Sequence, residues 1–282
     1  MIAAGVGLAL LAAALHGTWN AIVKVGGDPL LTFRRATLMS GIVATIALIP
    51  EVIVLGRPSI RLAALGLCFI SSVLETAYLV LLSIAYRRGE LSAVYPIARG
   101  SAPLIAVVVG LVVLGERLSG VQLAGVALLL VGILAVAVSQ AGGRATLPAL
   151  LTGVAIASYT TVDRLGVRMT EPWFYGWLLF TLMAIELPLA LAVAKRLTSS
   201  TTAADVPSWR KSAFIGSFMW AGYFLVLWAL SLAPLAVVAP VRETAIVAVA
   251  AWGVWRMRER RSAALKLSGA AATLAGVALL AV

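Results

Sequence analysis

The chain repeats itself. Residues 91–96 (LSAVYP) align with residues 235–240 (LAVVAP), and Gly125 and Gly132 align with Gly269 and Gly276, all 144 positions apart. Between these anchors, residues 115–119 (GERLS) meet residues 258–262 (RERRS) at a displacement of 143, one insertion away from the same register. Each copy holds about five apolar runs. Five is odd, so two copies in one membrane must cross it in opposite senses. Inverted-topology repeats of this kind recur in secondary transporters, whose halves rock about a site at their interface. The expected units are residues 1–140 and 145–282.

Composition agrees with a membrane setting. Of 282 residues, 62% are hydrophobic and the mean hydropathy is +1.05, well beyond the apolar share of a soluble domain. A hydrocarbon core of roughly 30 Å takes about 20 helical residues per crossing, so ten crossings use most of the chain. The apolar runs are continuous rather than alternating, which argues against a membrane barrel. The expected fold is therefore an all-α polytopic membrane protein of ten transmembrane helices in two inverted five-helix repeats.

The spans read as 2–24, 30–55, 60–86, 91–114, 120–138, 147–164, 172–194, 209–232, 235–255 and 263–282. Asp28-Pro29 and Glu171-Pro172 each set a proline at a helix start, where its missing N–H costs nothing. Residues 142–144 (GGR) read as the joint between halves, and residues 198–206 as a flexible loop. Trp173, Trp177 and Trp209 fall near span ends, as interfacial anchors would. Without a basic stretch ahead of it, the first span is expected to stay in the mature protein rather than be cleaved.

The net charge of +11 is spread over short loops, which fits membrane orientation rather than a nucleic-acid partner. Odd-numbered loops carry 15 of the 22 Lys and Arg, even-numbered loops carry five (Arg57, Arg61, Arg117, Arg164 and Arg168), and Arg99 and Arg242 lie inside spans. Taken literally, the positive-inside rule puts the odd loops in the cytoplasm and both termini outside. Cys68 is alone and sits in an apolar run, so it reads as packing.

Ionisable side chains in a bilayer core ask for a partner or a role. Glu75, Arg99, Glu186, Arg242 and Glu243 lie well inside spans, with Asp163 nearer an end. Arg99 and Arg242 correspond at a displacement of 143, and each follows a proline, Pro96 or Pro240, that frees a backbone carbonyl. They either pair with Glu75, Glu186 or Glu243 as pins between helices, or contact a solute. Glu243, beside Arg242, reads as its local neutraliser. Helical spacing puts Tyr95 with Arg99, Glu75 with Tyr78, and Trp220 with Tyr223 on shared faces. In the first span His16, Asn20 and Lys24 form a stripe, with Tyr159 and Asp163 as analogues in the second copy. The candidate substrate contacts are thus Asn20, Glu75, Tyr78, Tyr95, Arg99, Tyr159, Trp220, Tyr223, Arg242 and Glu243. His16, Glu75, Asp163 and Glu186 are candidates for ion coupling. The glycines of the fifth and tenth spans read as close helix packing.

With the repeat, residues 91–96 and residues 115–118 (GERL) in view, the chain resembles the EamA family of the drug/metabolite transporter superfamily. Residues 15–21 (LHGTWNA) are similar to the first-span pattern of some members. The resemblance implies a ten-helix basket and movement of small organic solutes, often amino acids or other metabolites. It also implies both termini in the cytoplasm, against the charge count. RERR in place of a Gly-Glu pair puts a shared role for that loop in doubt.

The expected function is secondary active transport of a small metabolite, an amino acid or other carboxylate, by alternating access, with export as the direction. The cell membrane is the expected location, with a proton or another ion as coupling partner and a monomer or homodimer as the assembly. No G-x-x-x-x-G-K-[ST] loop offers ATP as the energy source. One histidine, one cysteine and no paired-carboxylate motif argue against an intramembrane enzyme and against a metal or cofactor. A channel, receptor or membrane scaffold remains the alternative.

Overall fold

A computed structural model describes residues 1–24, 28–89, 91–138, 143–197, 207–245 and 263–281. Among them there is no strand, and the helices are α1 (Ile2–Lys24), α2 (Pro29–Leu55), α3 (Leu62–Arg88), α4 (Leu91–Val108), α5 (Gly120–Val138), α6 (Thr146–Gly166), α7 (Pro172–Leu197), α8 (Trp209–Leu232), α9 (Leu235–Arg242) and α10 (Ala263–Ala281). A π-helical turn, Val109–Val113, extends α4. The loop expected at 198–206, the RERRS segment, Gly142 and the side chain of Lys24 lie outside the described residues.

Helix starts follow local chemistry. Asp28 caps α2 by accepting from the Leu31 N–H at 3.0 Å, with Pro29 in the first turn, and Ser208 caps α8 by accepting from the Lys211 N–H. A carboxylate or hydroxyl here satisfies an amide that no helical carbonyl can reach.

Five helical stretches are long and apolar enough to cross a membrane: Ile2–Val23, Pro29–Leu55, Leu62–Arg88, Pro172–Ala192 and Trp209–Leu232. Shorter apolar stretches, Ile97–Val113, Gly120–Ala135 and Ala271–Leu280, fall within α4, α5 and α10. The sixth helix joins neither group, because Thr152, Tyr159, Thr160, Asp163 and Arg164 turn polar groups into the interior. Hydropathy alone understates a helix whose polar face is buried in protein.

The main packing pairs are α5 with α10, α3 with α6, α1 with α8, α2 with α7 and α8, and α4 with α6 and α9. Successive helices run back and forth, so their turns gather at two ends. At the first end, Gly89 after α3 lies against Ala145 before α6, and Asp28 pairs with Arg87. At the second, Ser59 bonds Glu171 across the α2–α3 and α6–α7 turns.

Between α5 and α10 the backbones nearly touch. A Cβ at Gly276 would meet the Gly125 carbonyl oxygen at 2.6 Å, and one at Gly132 would meet that of Gly269 at 2.5 Å. Lipid supplies no hydrophobic drive between helices, so close approach through small residues holds such a pair.

Three expectations are corrected. Trp173 is 2% exposed and stacks edge-on against Phe174, so it is interior rather than an interfacial anchor; Trp209, 54% exposed, does lie outside, beneath the Arg35 guanidinium. Arg164 is not a loose loop charge: it is buried against Glu116, at 3.1 Å. The span expected at 235–255 is interrupted, since α9 stops at Arg242 and gives way to a turn at Glu243 and Thr244, while residues 246–255 lie outside the described residues.

Candidate functional site

Pro240 sets up the break in α9. Proline cannot donate to the helix ladder, and three residues later the Glu243 N–H closes back on the Pro240 carbonyl at 3.0 Å while Thr244 closes on Val241 at 3.2 Å. The turn aims the Glu243 carboxylate at the facing α4. Arg99 Nη1 donates to both its oxygens, at 3.1 and 3.3 Å, and Arg242 Nε donates to Oε1 at 3.0 Å. All three residues are at most 2% exposed.

One carboxylate therefore serves two guanidiniums. Arg99 also reaches the Tyr78 hydroxyl at 3.4 Å and stands 5.6 Å from the Tyr95 ring centre, a cation–π distance. Arg242 stands 5.9 Å from the Tyr159 ring, and its Nη1 has no hydrogen-bond partner among the described residues. The 144-residue register that matches Pro96 with Pro240 matches Arg99 with Glu243 rather than with Arg242, the counterpart at a displacement of 143, so in that register the charge pair joins corresponding positions.

Next to this pair a chain of rings runs through the interior. Tyr78 meets Tyr159 edge-on at 5.6 Å, Tyr159 meets Tyr223 at 5.8 Å, and Tyr223 meets both His16 and Phe180 at 6.3 Å. These rings enclose a cleft completed by Trp19, Glu75, Leu79, Met183 and Met219. Its free room is only ≈ 20 Å³, about one water by the usual measure. Glu75 is 5% exposed, and its Oε1 has no partner among the described residues. Asp163, fully buried, accepts from the Tyr175 hydroxyl at 2.9 Å and from the Tyr223 hydroxyl.

The sequence candidates divide accordingly. Glu75, Tyr78, Tyr159, Tyr223 and His16 line the cleft; Tyr95, Arg99, Arg242 and Glu243 form the adjoining charged layer. Asp163 stands behind Tyr223. Asn20 is buried and fully engaged, donating to the His16 carbonyl at 2.8 Å and accepting from the Tyr86 hydroxyl at 2.9 Å. Trp220 is outside the cleft and packs on Phe224; Met219, one residue earlier, takes the lining position. Glu186 faces α3 instead, accepting from Ser72 at 2.6 Å and Thr76 at 3.0 Å.

Phe180, Met183 and Met219 have no polar atom to mark them in a sequence of this composition. Glu116, by contrast, stands in residues 115–119 (GERLS), but its partners, Arg164, Leu235 and Ala236, are far away in sequence. Two open pockets lie at the ends of the bundle, one of ≈ 600 Å³ lined by Arg87, Arg88 and Arg144 and one of ≈ 360 Å³ beside Arg164, Arg168 and residues 231–234. No group of three metal-binding side chains occurs among the described residues.

Comparison with known proteins adds two findings. Residues 3–138 match the sequence model of the EamA-like transporter family. Among solved structures, 26 chains match, including a crystal structure of a protein with TM-score 0.72 and 17% identity, over 98% of this chain and 97% of that one; at that identity the likeness concerns the fold. No curated protein sequence matches.

Proposed function

We propose that the whole chain is a secondary transporter of the EamA-like family, whose sequence model residues 3–138 match, with two inverted five-helix units, residues 1–140 and 145–282, crossing the membrane ten times. The packing supports this reading. A two-fold operation that carries residue i to i + 144 exchanges α3·α6 with α8·α1 and leaves α4·α9 and α5·α10 facing themselves, and all four are among the main contacts. Self-matching contacts of this kind are what a two-fold axis produces.

One observation carries the function: a small cleft, ringed by aromatic and ionisable side chains, lies buried in the bundle beside a layer of charged residues. Glu75 Oε1 in the cleft and Arg242 Nη1 in the adjoining charged layer have no partners among the described residues. Buried groups without partners are costly, and a solute that supplies them repays the cost. The present state is occluded, since ≈ 20 Å³ admits no metabolite; loading requires one unit to rock against the other.

The cargo we propose is a small organic carboxylate, amino acids included. A guanidinium offers paired donors to a carboxylate, and the tyrosine faces accept an apolar or cationic remainder. For coupling we favour a proton at Glu75. Three buried carboxylates, Glu75, Asp163 and Glu243, stand against two guanidiniums, Arg99 and Arg242, so a proton or cation balances the set. Glu186 is less suited, being held on the α3–α7 face. Export from the cell, across the cell membrane, is the direction we propose.

Purified protein in proteoliposomes tests the reading. Counterflow of labelled amino acids or other carboxylates is expected, with loss of acid-driven uptake in Glu75→Gln. Flux without counterflow for any of them would favour a channel instead.

A further inference from the structure

The Glu116 carboxylate joins elements that a rocking motion must separate. Its backbone is turned inward at Gly115, whose φ of +64° favours glycine, and the Glu116 N–H donates to the Gly110 carbonyl at 2.9 Å. Across the unit boundary, Oε1 accepts from the Leu235 N–H at 2.7 Å and Oε2 from the Ala236 N–H at 2.9 Å. These are the first two amides of α9, where a carboxylate satisfies unpaired donors and faces the positive end of the helix. The same Oε1 accepts from Arg164 Nε at 3.1 Å, and Arg164 Nη1 donates to the Leu230 carbonyl in the last turn of α8. The Glu116 and Arg164 side chains are 8% and 9% exposed.

The contact zone is built for this carboxylate. A Cβ at Gly110 would lie 2.6 Å from Glu116 Oε2 and 3.1 Å from the Ala236 nitrogen, so only glycine leaves room for both. Beside it lies the open pocket lined by Arg164, Arg168 and residues 231–234. Inside it, α9 leads directly to Arg242 and Glu243.

We propose that Glu116, with Arg164, is the clasp that holds the second end of the cleft shut, fastening the α4–α5 turn to the start of α9. It positions α9, and with it Glu243, in the closed state and releases both when that end opens. The clasp rests on the alternating-access reading above. It combines one carboxylate, two helix amides and one guanidinium, so loss of charge at either side chain weakens it while the apolar packing stays.

The test is thiol labelling with a membrane-impermeant methanethiosulfonate applied from the second end. Met219→Cys places a reporter in the cleft, and native Cys68, fully buried, reports general loosening. Glu116→Gln and Arg164→Gln are each expected to raise the labelling rate of the introduced thiol about tenfold, as a shift toward the open state would, with Cys68 labelling unchanged. Arg164→Gln keeps the helix cap intact, so it serves if Glu116→Gln folds poorly. No rise in either variant, or a parallel rise at Cys68, overturns the clasp. Wild-type counterflow of labelled amino acids is scored separately; its absence would count against the carrier reading and leaves the labelling result to be judged by itself.

Discussion

Arg99 and Glu243, 144 positions apart in sequence, meet in the core at 3.1 Å, and the repeat register makes each the counterpart of the other. In the proposed two-unit arrangement, a residue that touches its own counterpart lies on the axis relating the units. Glu243 also holds Arg242 at 3.0 Å, so both arginines depend on one carboxylate. Glu243→Gln strands two buried cations, whereas Arg99→Gln leaves the carboxylate paired with Arg242. Breaking a buried pair costs about 3–5 kcal/mol. Thermal unfolding in detergent should therefore show Glu243→Gln to be the more damaging change; equal effects would mean that Arg242 does not rely on Glu243.

The α5–α10 seam makes a second claim. A methyl group at Gly276 would push against Gly125 O at 2.6 Å, Leu129 N at 2.7 Å and Leu129 Cβ at 2.8 Å. Overpacking of this kind costs about 1–3 kcal/mol. Gly276→Ala is expected to lose about that much, while Gly120→Ala, with open space around its Cβ, should stay within about 0.5 kcal/mol of the parent. Unfolding midpoints for the two variants provide the comparison.

Legibility in the sequence followed the range of the interactions. Helix ends at Asp28-Pro29 and Pro172 depend on neighbours a few residues away, and the structure starts α2 and α7 at those prolines. The aromatic and charged candidates were visible because a polar atom in an apolar run stands out. Trp220 missed because an i, i+3 match tolerates a position that the actual helix rotation gives to Met219. Glu116 missed for another reason: its partners are Arg164 and the amides of Leu235 and Ala236, up to 120 residues away, and no local period encodes that. Trp173 was placed at a surface because sequence shows span ends and not which neighbours cover them.

At the second end, Glu171 gives a pH prediction. Burial pushes its carboxyl up, but the Ser59 amide at 2.7 Å, its own backbone amide and the Ser59 and Thr170 hydroxyls outweigh that and hold its pKa below the usual glutamate value. A depressed folded-state pKa adds stability above the unfolded value, about 4.3, and that stability is lost as pH falls through the folded pKa. Wild type should thus lose an increment of thermal stability on acidification below about pH 4 that Glu171→Gln lacks at every pH. Identical pH profiles for the two proteins would remove the turn-to-turn clamp from the account.

Glu75 is the place to look for coupling. Glu75→Gln should leave counterflow at constant pH measurable while abolishing uptake driven by a pH difference, because exchange needs only the solute and net uptake needs the titrating carboxyl. Glu186→Gln, on the α3–α7 face, should retain the driven component. Driven uptake undiminished in Glu75→Gln is incompatible with this assignment.

The central claim is that the two halves lie in the membrane in opposite senses. Arg88 and Leu232 correspond across the repeat at 144 positions and end α3 and α8. Single cysteines placed at each, in a Cys68→Ala background, can be labelled with impermeant thiol reagents in sealed right-side-out and inside-out vesicles. The account predicts that the two sites react from opposite faces of the membrane. Reaction of both from the same face would contradict it.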